Sequence, residues 1–251
     1  MRVTLGLEYD GTAYNGWQRQ RTGNGVQEQL EVALSKVANE DIEVVCAGRT
    51  DTGVHASGQV VHFETSSTRD DRGWLLGANT NLPDDISVTW SRHVDDSFHA
   101  RFSATARSYE YLILNRLVRS ALHRHRAWWV YDELDVENMQ TAAATLVGRH
   151  DFSAFRAAGC QASTATREIT DLTLTRNGNW ILLEVTANAF LQHMVRNIMG
   201  TLVAIGRGDK APEWAASVLA SKDRKAGGMA APPHGLTLVS VEYPPEFAVP
   251  P

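Results

Sequence analysis

The chain has only two cysteines, Cys46 and Cys160, among 251 residues. They are too few and too far apart for a disulfide framework or a paired-cysteine zinc site, so both read as reduced, mostly buried thiols. No apolar run reaches the length that crosses a bilayer. The first residues, Met1-Arg2-Val3-Thr4, begin a strand rather than a charged region ahead of an apolar signal segment. The expected compartment is the cytoplasm, with no membrane partner. Positive charge is not in excess either, because 24 Lys and Arg stand against 29 Asp and Glu for a net charge of −5. That balance argues against a protein that simply coats nucleic acid. Also absent are a Gly-rich dinucleotide fingerprint, a Gly-Lys-Ser/Thr phosphate loop and a His-Glu-x-x-His helix. No cofactor, no small-molecule cofactor partner and no metal are expected.

What is present is an ordinary globular composition, 43% hydrophobic and 21% charged, and one unusual stretch, Cys46 to His62. An apolar run, Ile42 to Cys46, enters it, and an alternating run, Gln59 to Glu64, leaves it. The turn Gly48-Arg49-Thr50-Asp51-Thr52-Gly53 therefore sits between two strands, with Asp51 displayed on it and the planar cation of Arg49 two residues away. A lone loop Asp is usually a turn former; a Gly-flanked Arg-x-Asp followed by Gly-Val-His-Ala is more restrictive. His55 and His62 raise a metal or general-base reading, rejected because no third ligand stands at suitable spacing.

Elsewhere the periods are regular. Val3, Leu5, Leu7 and Tyr9 alternate as a strand, and Asp10-Gly11 ends it. Thr12 to Asn24 is a polar loop whose Tyr14 and Trp17 are expected to anchor it to the core. Val26, Leu30, Ala33, Leu34 and Val37 have helical spacing, as do Trp74, Leu75 and Ala78 before a strand from Ile86 to Trp90. In Thr105 to Ile113, Arg107, Tyr109, Tyr111 and Ile113 share one face. A helix that Asp135 could cap runs to Gly148, and a hairpin turns at Asn177-Gly178. The next helix has an apolar stripe from Leu191 to Val203, with His193, Arg196, Asn197 and Gly200 on a second stripe that solvent would normally claim. A helix from Pro212 to Leu219 and a strand from Leu236 to Tyr243 close the chain. The basic run Arg116, Arg119, Arg124 and Arg126, with His123 and His125, reads equally as a solvated loop or as a phosphate contact on an acidic body.

The run GRTDTGVHASGQVVHF resembles the catalytic motif of the TruA family of tRNA pseudouridine synthases. The blocks LGLEYDGTAYNGWQRQ, FHARFSATARSYEYLI, DFSAFRAAGCQ, NAFLQHMVRNIMGTL and GLTLVSVEY extend the resemblance, in order, over nearly the whole chain. Thr52 stands where the family pattern often has Ala, a small-for-small change. Element order and the resemblance together imply an α+β fold of two pseudo-repeated αβ units with mainly antiparallel sheets flanked by helices, forming a central cleft. The division is 1–104, which carries the Asp loop, and 105–251, which completes the cleft.

The resemblance implies isomerisation of uridine to pseudouridine at positions 38, 39 and 40 of the tRNA anticodon stem-loop, by a homodimer, with Asp51 as nucleophile. Arg196 faces Asp51 in that reading, and a cation there, or at Arg49, favours the ionised carboxylate. Arg49 is implied to hold the displaced nucleotide once the base is flipped. Tyr111, with Tyr109 as fallback, is implied to stack on the uracil and to assist removal of the C5 proton. Leu238 is the implied apolar wall. The segments 100–104 and 161–165, with Arg101, Phe102 and Gln161, are the implied tRNA contacts. Two other classes remain open on the residues alone: a non-catalytic RNA-binding module using the Tyr109 and Tyr111 face, and a metal-dependent RNA hydrolase using Asp51 and His55.

Overall fold

A computed structural model describes residues 1–20 and 23–250. It divides into two compact units, Met1–Ala106 together with the segment from Thr237 on, and Arg107–Leu236. The sequence order places the last strand in the second unit; the structure groups the chain from Thr237 on with the first.

In the first unit, β1 (Arg2–Tyr9) lies between β3 (His55–Glu64) and β4 (Ile86–Val94), antiparallel to both. β2 (Val45–Cys46) is an antiparallel stub on β3, and β10 (Leu236–Glu242) joins β3 in parallel through Thr237 and Leu238 opposite His55 and Ala56. Two helices, α1 (Val26–Ala38) and α2 (Asp71–Asn81), pack on each other, and α2 packs on β4. Asp70 caps α2 by accepting from Gly73 N at 2.7 Å, which supplies one of the free first-turn amides with a partner. Tyr14 and Trp17 are buried anchors of their loop, as expected.

β3 does not alternate between inside and outside. Gln59 to Phe63 are all buried because both faces are covered. Phe63 meets Trp74 of α2 edge-on at 5.0 Å, while His62 on the opposite face meets Phe98 and His99 at 6.1 and 4.7 Å. The apolar run at Ile42 forms a strand only at its end. Val44 N is drawn instead to the buried carboxylate of Glu31, at 3.1 Å, which also accepts from Gln27 Nε2 at 2.9 Å and pairs with Arg19.

In the second unit, β5 (Ala106–Asn115) pairs antiparallel with β9 (Trp180–Ala187), β9 with β8 (Thr166–Asn177), and β8 with β7 (Gly148–Asp151). β6 (Trp128–Val130) adds in parallel to β5. The odd face of β5, from Arg107 to Ile113, is the buried one, as its period predicts. Three helices complete the unit: α3 (Val136–Ala144), capped by Asp135, α4 (Met194–Gly206) and α5 (Trp214–Ser221). α3 stops at Ala144, and Gly148 opens β7 instead of closing the helix. Among the described residues, no helix is long and apolar enough to cross a membrane.

The second stripe of α4 is not left to solvent. Asn197 and Gly200 are buried. Asn197 Nδ2 donates to Phe155 O at 2.7 Å, and a strap, residues 227–235, lies across Gly200 so closely that a Cβ there would stand 1.7 Å from Met229 O. The helix is therefore covered on nearly every side, which removes the solvent face that its polar spacing suggested.

Candidate active site

The turn that carries Asp51 is held from beneath by buried polar side chains of its own unit. Gln59, fully buried on β3, donates from Nε2 to Gly48 O at 2.6 Å and accepts at Oε1 from Gly48 N at 3.4 Å. Tyr9 Oη and Thr50 Oγ1 share a hydrogen bond of 2.8 Å, and Trp17 N donates to Thr50 O at 3.0 Å. Gly16, at φ 94°, brings its loop so near that a Cβ there would lie 2.7 Å from Thr50 O, a conformation and an approach that only glycine permits. Gly53 N donates to Tyr14 O at 3.4 Å and Val54 N to Asp51 O at 3.1 Å. With Thr50 buried, Asp51 half-buried and Arg49 exposed, the turn anchors Thr50 in the interior and leaves Asp51 and Arg49 nearer the surface. The backbone of the turn is thereby held in one conformation by its own unit.

The histidines of this region serve structure. His55 Nδ1 accepts from Gly11 N at 3.0 Å and lies 3.2 Å from Asp10 Oδ1. His62 Nδ1 accepts from Ala100 N at 3.1 Å, and burial, with His99 next, pushes its imidazole down to about 4. Burial pushes the Cys46 thiol up to about 12 against the opposing pull of Arg49. Cys160 departs from the expected buried thiol: it is only half-buried. Burial opposes its ionisation, yet hydrogen bonds from the amides of Ala162 and Gln192 and from Arg156 bring its pKa below the usual value.

Arg101, Phe102 and Leu238 also belong to the first unit. Phe102 is 77% exposed; it stacks on His99 at 4.3 Å and lies 5.7 Å beneath the Arg101 guanidinium. A large exposed ring with a cation on its face suits stacking on a base and contact with its phosphate. Leu238 is fully buried opposite Ala56 of β3.

Tyr109, Tyr111, Arg196 and Gln161 belong to the second unit. Tyr109 is buried edge-on against Phe190 at 5.0 Å. Tyr111 is fully buried, its Oη donates to Pro232 O at 2.7 Å, and Gly235 lies against its ring. Burial drives its phenol far above the usual range, and the Arg196 charge only partly counters this. Arg196 projects half-buried from α4, with Nε donating to Ala231 O at 2.8 Å, while Ala231 N donates to Arg196 O at 2.9 Å. The strap 227–235 thus fixes both Tyr111 and Arg196 through main-chain carbonyls. Gln161 is exposed in the loop before β8. Gln59, Tyr9 and the strap were missed by sequence reasoning; the glycine in mid-helix at 200 and the Gly-Gly and Pro-Pro pairs after 226 were the available signals.

The first unit thus carries a carboxylate and an arginine on a rigid turn, and the second carries a buried tyrosine and a half-buried arginine. The tRNA pseudouridine synthase family model matches residues 7–103 and 142–244. A tRNA pseudouridine synthase A of Pseudoalteromonas atlantica is 57% identical over 250 residues, covering 100% of this chain and 95% of that protein. Those of Shewanella denitrificans and Coxiella burnetii are 54% and 52% identical, over 100% and 99% of this chain and 96% and 95% of their own. Among solved structures, an H/ACA RNP bound to a substrate RNA containing 2′-deoxyuridine matches with a TM-score of 0.37 at 10% identity, covering 80% of this chain and 44% of that one. The chain belongs to the tRNA pseudouridine synthase family, a family of isomerases.

Proposed function

We propose that this chain isomerises uridine to pseudouridine at positions 38, 39 and 40 of the tRNA anticodon arm, in the cytoplasm and as a homodimer, with Asp51 as the nucleophile. The observation that carries the reading is the family match, whose first segment contains the whole Gly48–Gly53 turn and whose second contains Arg196. The reaction breaks the bond between C1′ and N1, turns the uracil, and joins C1′ to C5. N1 gains a proton and C5 loses one, so nothing is consumed and no redox partner or cofactor is called for. A carboxylate nucleophile divides this exchange into two easier steps.

Asp51 supplies that carboxylate from a turn whose backbone is already held. Arg49, exposed beside it, occupies the space of the flipped nucleotide, and Arg196 supplies the balancing cation. Tyr111 packs on the uracil and assists removal of the C5 proton as a relay: burial keeps its phenol neutral, so it passes its own proton on toward N1 as it takes the one from C5, and its bond to Pro232 O must be exchanged for one toward the base. Tyr109 braces Phe190 beside it, and Leu238 closes the pocket as an apolar wall. Arg101, Phe102 and Gln161 hold the tRNA outside the reacting base.

The test is to incubate unmodified tRNA with the protein and map pseudouridine by carbodiimide adduct and primer extension. Stops confined to 38, 39 and 40 support the assignment; modification elsewhere with those positions untouched refutes it. Sedimentation at micromolar concentration checks the dimer, which a monomeric mass would contradict.

A further inference from the structure

Part of the second unit lies outside both segments of the family match and carries a feature that the reacting base does not use. The loop from Arg116 to Ala127 contains four arginines and no acidic residue, in a chain whose net charge is −5. Against it lies a recess of about 180 Å³ whose polar lining is Arg119, Arg124, His123, His234 and Ser120 and whose apolar lining is Leu114, Ala127 and Trp129, with no carboxylate among them.

We infer that this recess is a phosphate site that holds one phosphodiester of the tRNA substrate, in addition to the contacts made around the target uridine. The inference rests on the tRNA reading above and adds a point of attachment to it.

Size and chemistry both select the ligand. Pockets that enclose drug-sized ligands run from about 300 Å³ upward, so this recess takes a phosphoryl group and not a nucleoside. Guanidinium forks match phosphate oxygens in pairs, and the hydroxyl of Ser120 and the imidazole N–H groups add donors.

The loop is also pre-shaped. Arg126 N and Ala127 N both donate to His123 O, at 3.0 and 3.1 Å, and His123 N donates to Ser120 Oγ at 3.1 Å. Arg124 Nη1 donates to Ala121 O at 3.1 Å, Trp129 Nε1 to Arg116 O at 2.9 Å, and the His123 ring stands edge-on to Trp180 at 5.0 Å. A loop already tied in this way loses little further freedom on binding, so the arginine charges act at small entropic cost. A localised cation recess also reconciles an acidic chain with a polyanionic substrate.

The experiment compares the intact protein with Arg119→Gln/Arg124→Gln and with the charge-keeping Arg119→Lys/Arg124→Lys. Release of tritium from tRNA carrying 5-tritiated uridine is followed against tRNA concentration, and tRNA binding is followed against salt. In the glutamine variant, KM is expected to rise roughly tenfold, about the effect of one lost charge-assisted contact, and turnover to recover at saturating tRNA. The slope of log affinity against log salt should become shallower by about 0.7–0.9, the signature of one phosphate. The lysine variant should restore most of that slope.

An unchanged KM and salt slope in the glutamine variant, with the intact protein active, overturns the site and leaves the isomerase reading standing. An inactive intact protein strikes the isomerase reading itself. Inorganic phosphate is the control ligand. If the glutamine variant loses phosphate binding while its KM for tRNA stays put, the recess takes free phosphate and the RNA source is wrong.

Discussion

Gly200→Ala tests the packing of the strap on α4, because two physical effects of opposite sign meet there. In a helix interior, alanine is favoured over glycine by about 1 kcal/mol. The added Cβ would stand 1.7 Å from Met229 O, 2.9 Å from Met229 C and 3.3 Å from Ala231 N, all of them main-chain atoms that no rotamer change can remove. The strap must retreat by about 1.7 Å before the nearest contact reaches the 3.4 Å of ordinary packing. Such a retreat breaks the reciprocal pair between Arg196 and Ala231, at 2.8 and 2.9 Å, and the bond from Gly228 N to Thr201 Oγ1 at 3.2 Å. Three hydrogen bonds at about 1 kcal/mol each outweigh the propensity gain, leaving a net loss of about 2 kcal/mol. In a protein of this length that lowers Tm by about 4–8 °C. Activity suffers more than stability, because Arg196 loses its tether and Tyr111 its neighbour. Misplacement on the ångström scale costs about a hundredfold. Thermal unfolding followed by circular dichroism, and tritium release at a temperature where the variant is folded, read the two effects separately. A variant more stable than the parent and equally active would refute the reasoning, since the strap would then be a passive covering.

Three further outcomes follow from the geometry. His62 takes its proton near pH 4 when folded but near its ordinary 6.5 when unfolded, so the unfolded chain binds the extra proton in between and stability falls as pH drops from 6.5 to 4, by about 3 kcal/mol in all. His62→Asn, whose Oδ1 can still accept from Ala100 N, should flatten that part of the urea-unfolding profile; an unaltered slope contradicts the assignment. Gln59→Leu strips Gly48 of both its side-chain bonds, which should lower stability by about 2–3 kcal/mol and reduce kcat while the fold persists. A wild-type kcat would show that the turn does not need the clamp. Phe102→Ala should leave stability within about 0.5 kcal/mol while weakening tRNA binding by about 1–3 kcal/mol if a base stacks on the ring, and an unchanged KM would remove Phe102 from the tRNA surface.

Local signals made much of this legible in the sequence. α1 and α2 follow from helical spacing, the start of α3 from its Asp135 cap, and the hairpin at Asn177-Gly178 from a turn dipeptide, all set by near neighbours in the chain. The odd face of β5 was readable for the same reason. The readings that failed concern distant partners. β3 loses its alternation because residues 98–100 cover the face that a period of two leaves to water, and the polar stripe of α4 is buried because a strap from about 30 residues downstream rests on Gly200. β10 joins the first unit through parallel bridges to His55 and Ala56, a pairing with no short-range trace. At the site, the Asp51 turn was legible because its chemistry resides in side chains. Its supports were not, because Gln59 binds main-chain atoms of Gly48, and Tyr111 and Arg196 bind main-chain carbonyls of the strap, which leave no residue-type signature.

The central claim is that Asp51 carries out isomerisation of tRNA uridine without a metal. The most direct measurement is tritium release from tRNA carrying 5-tritiated uridine, in the presence of chelator, by the intact protein and by Asp51→Ala. The account predicts release by the intact protein alone, with the variant retaining its circular dichroism spectrum and its affinity for tRNA. Release by a folded Asp51→Ala protein, or none from the intact protein while tRNA stays bound, would contradict it.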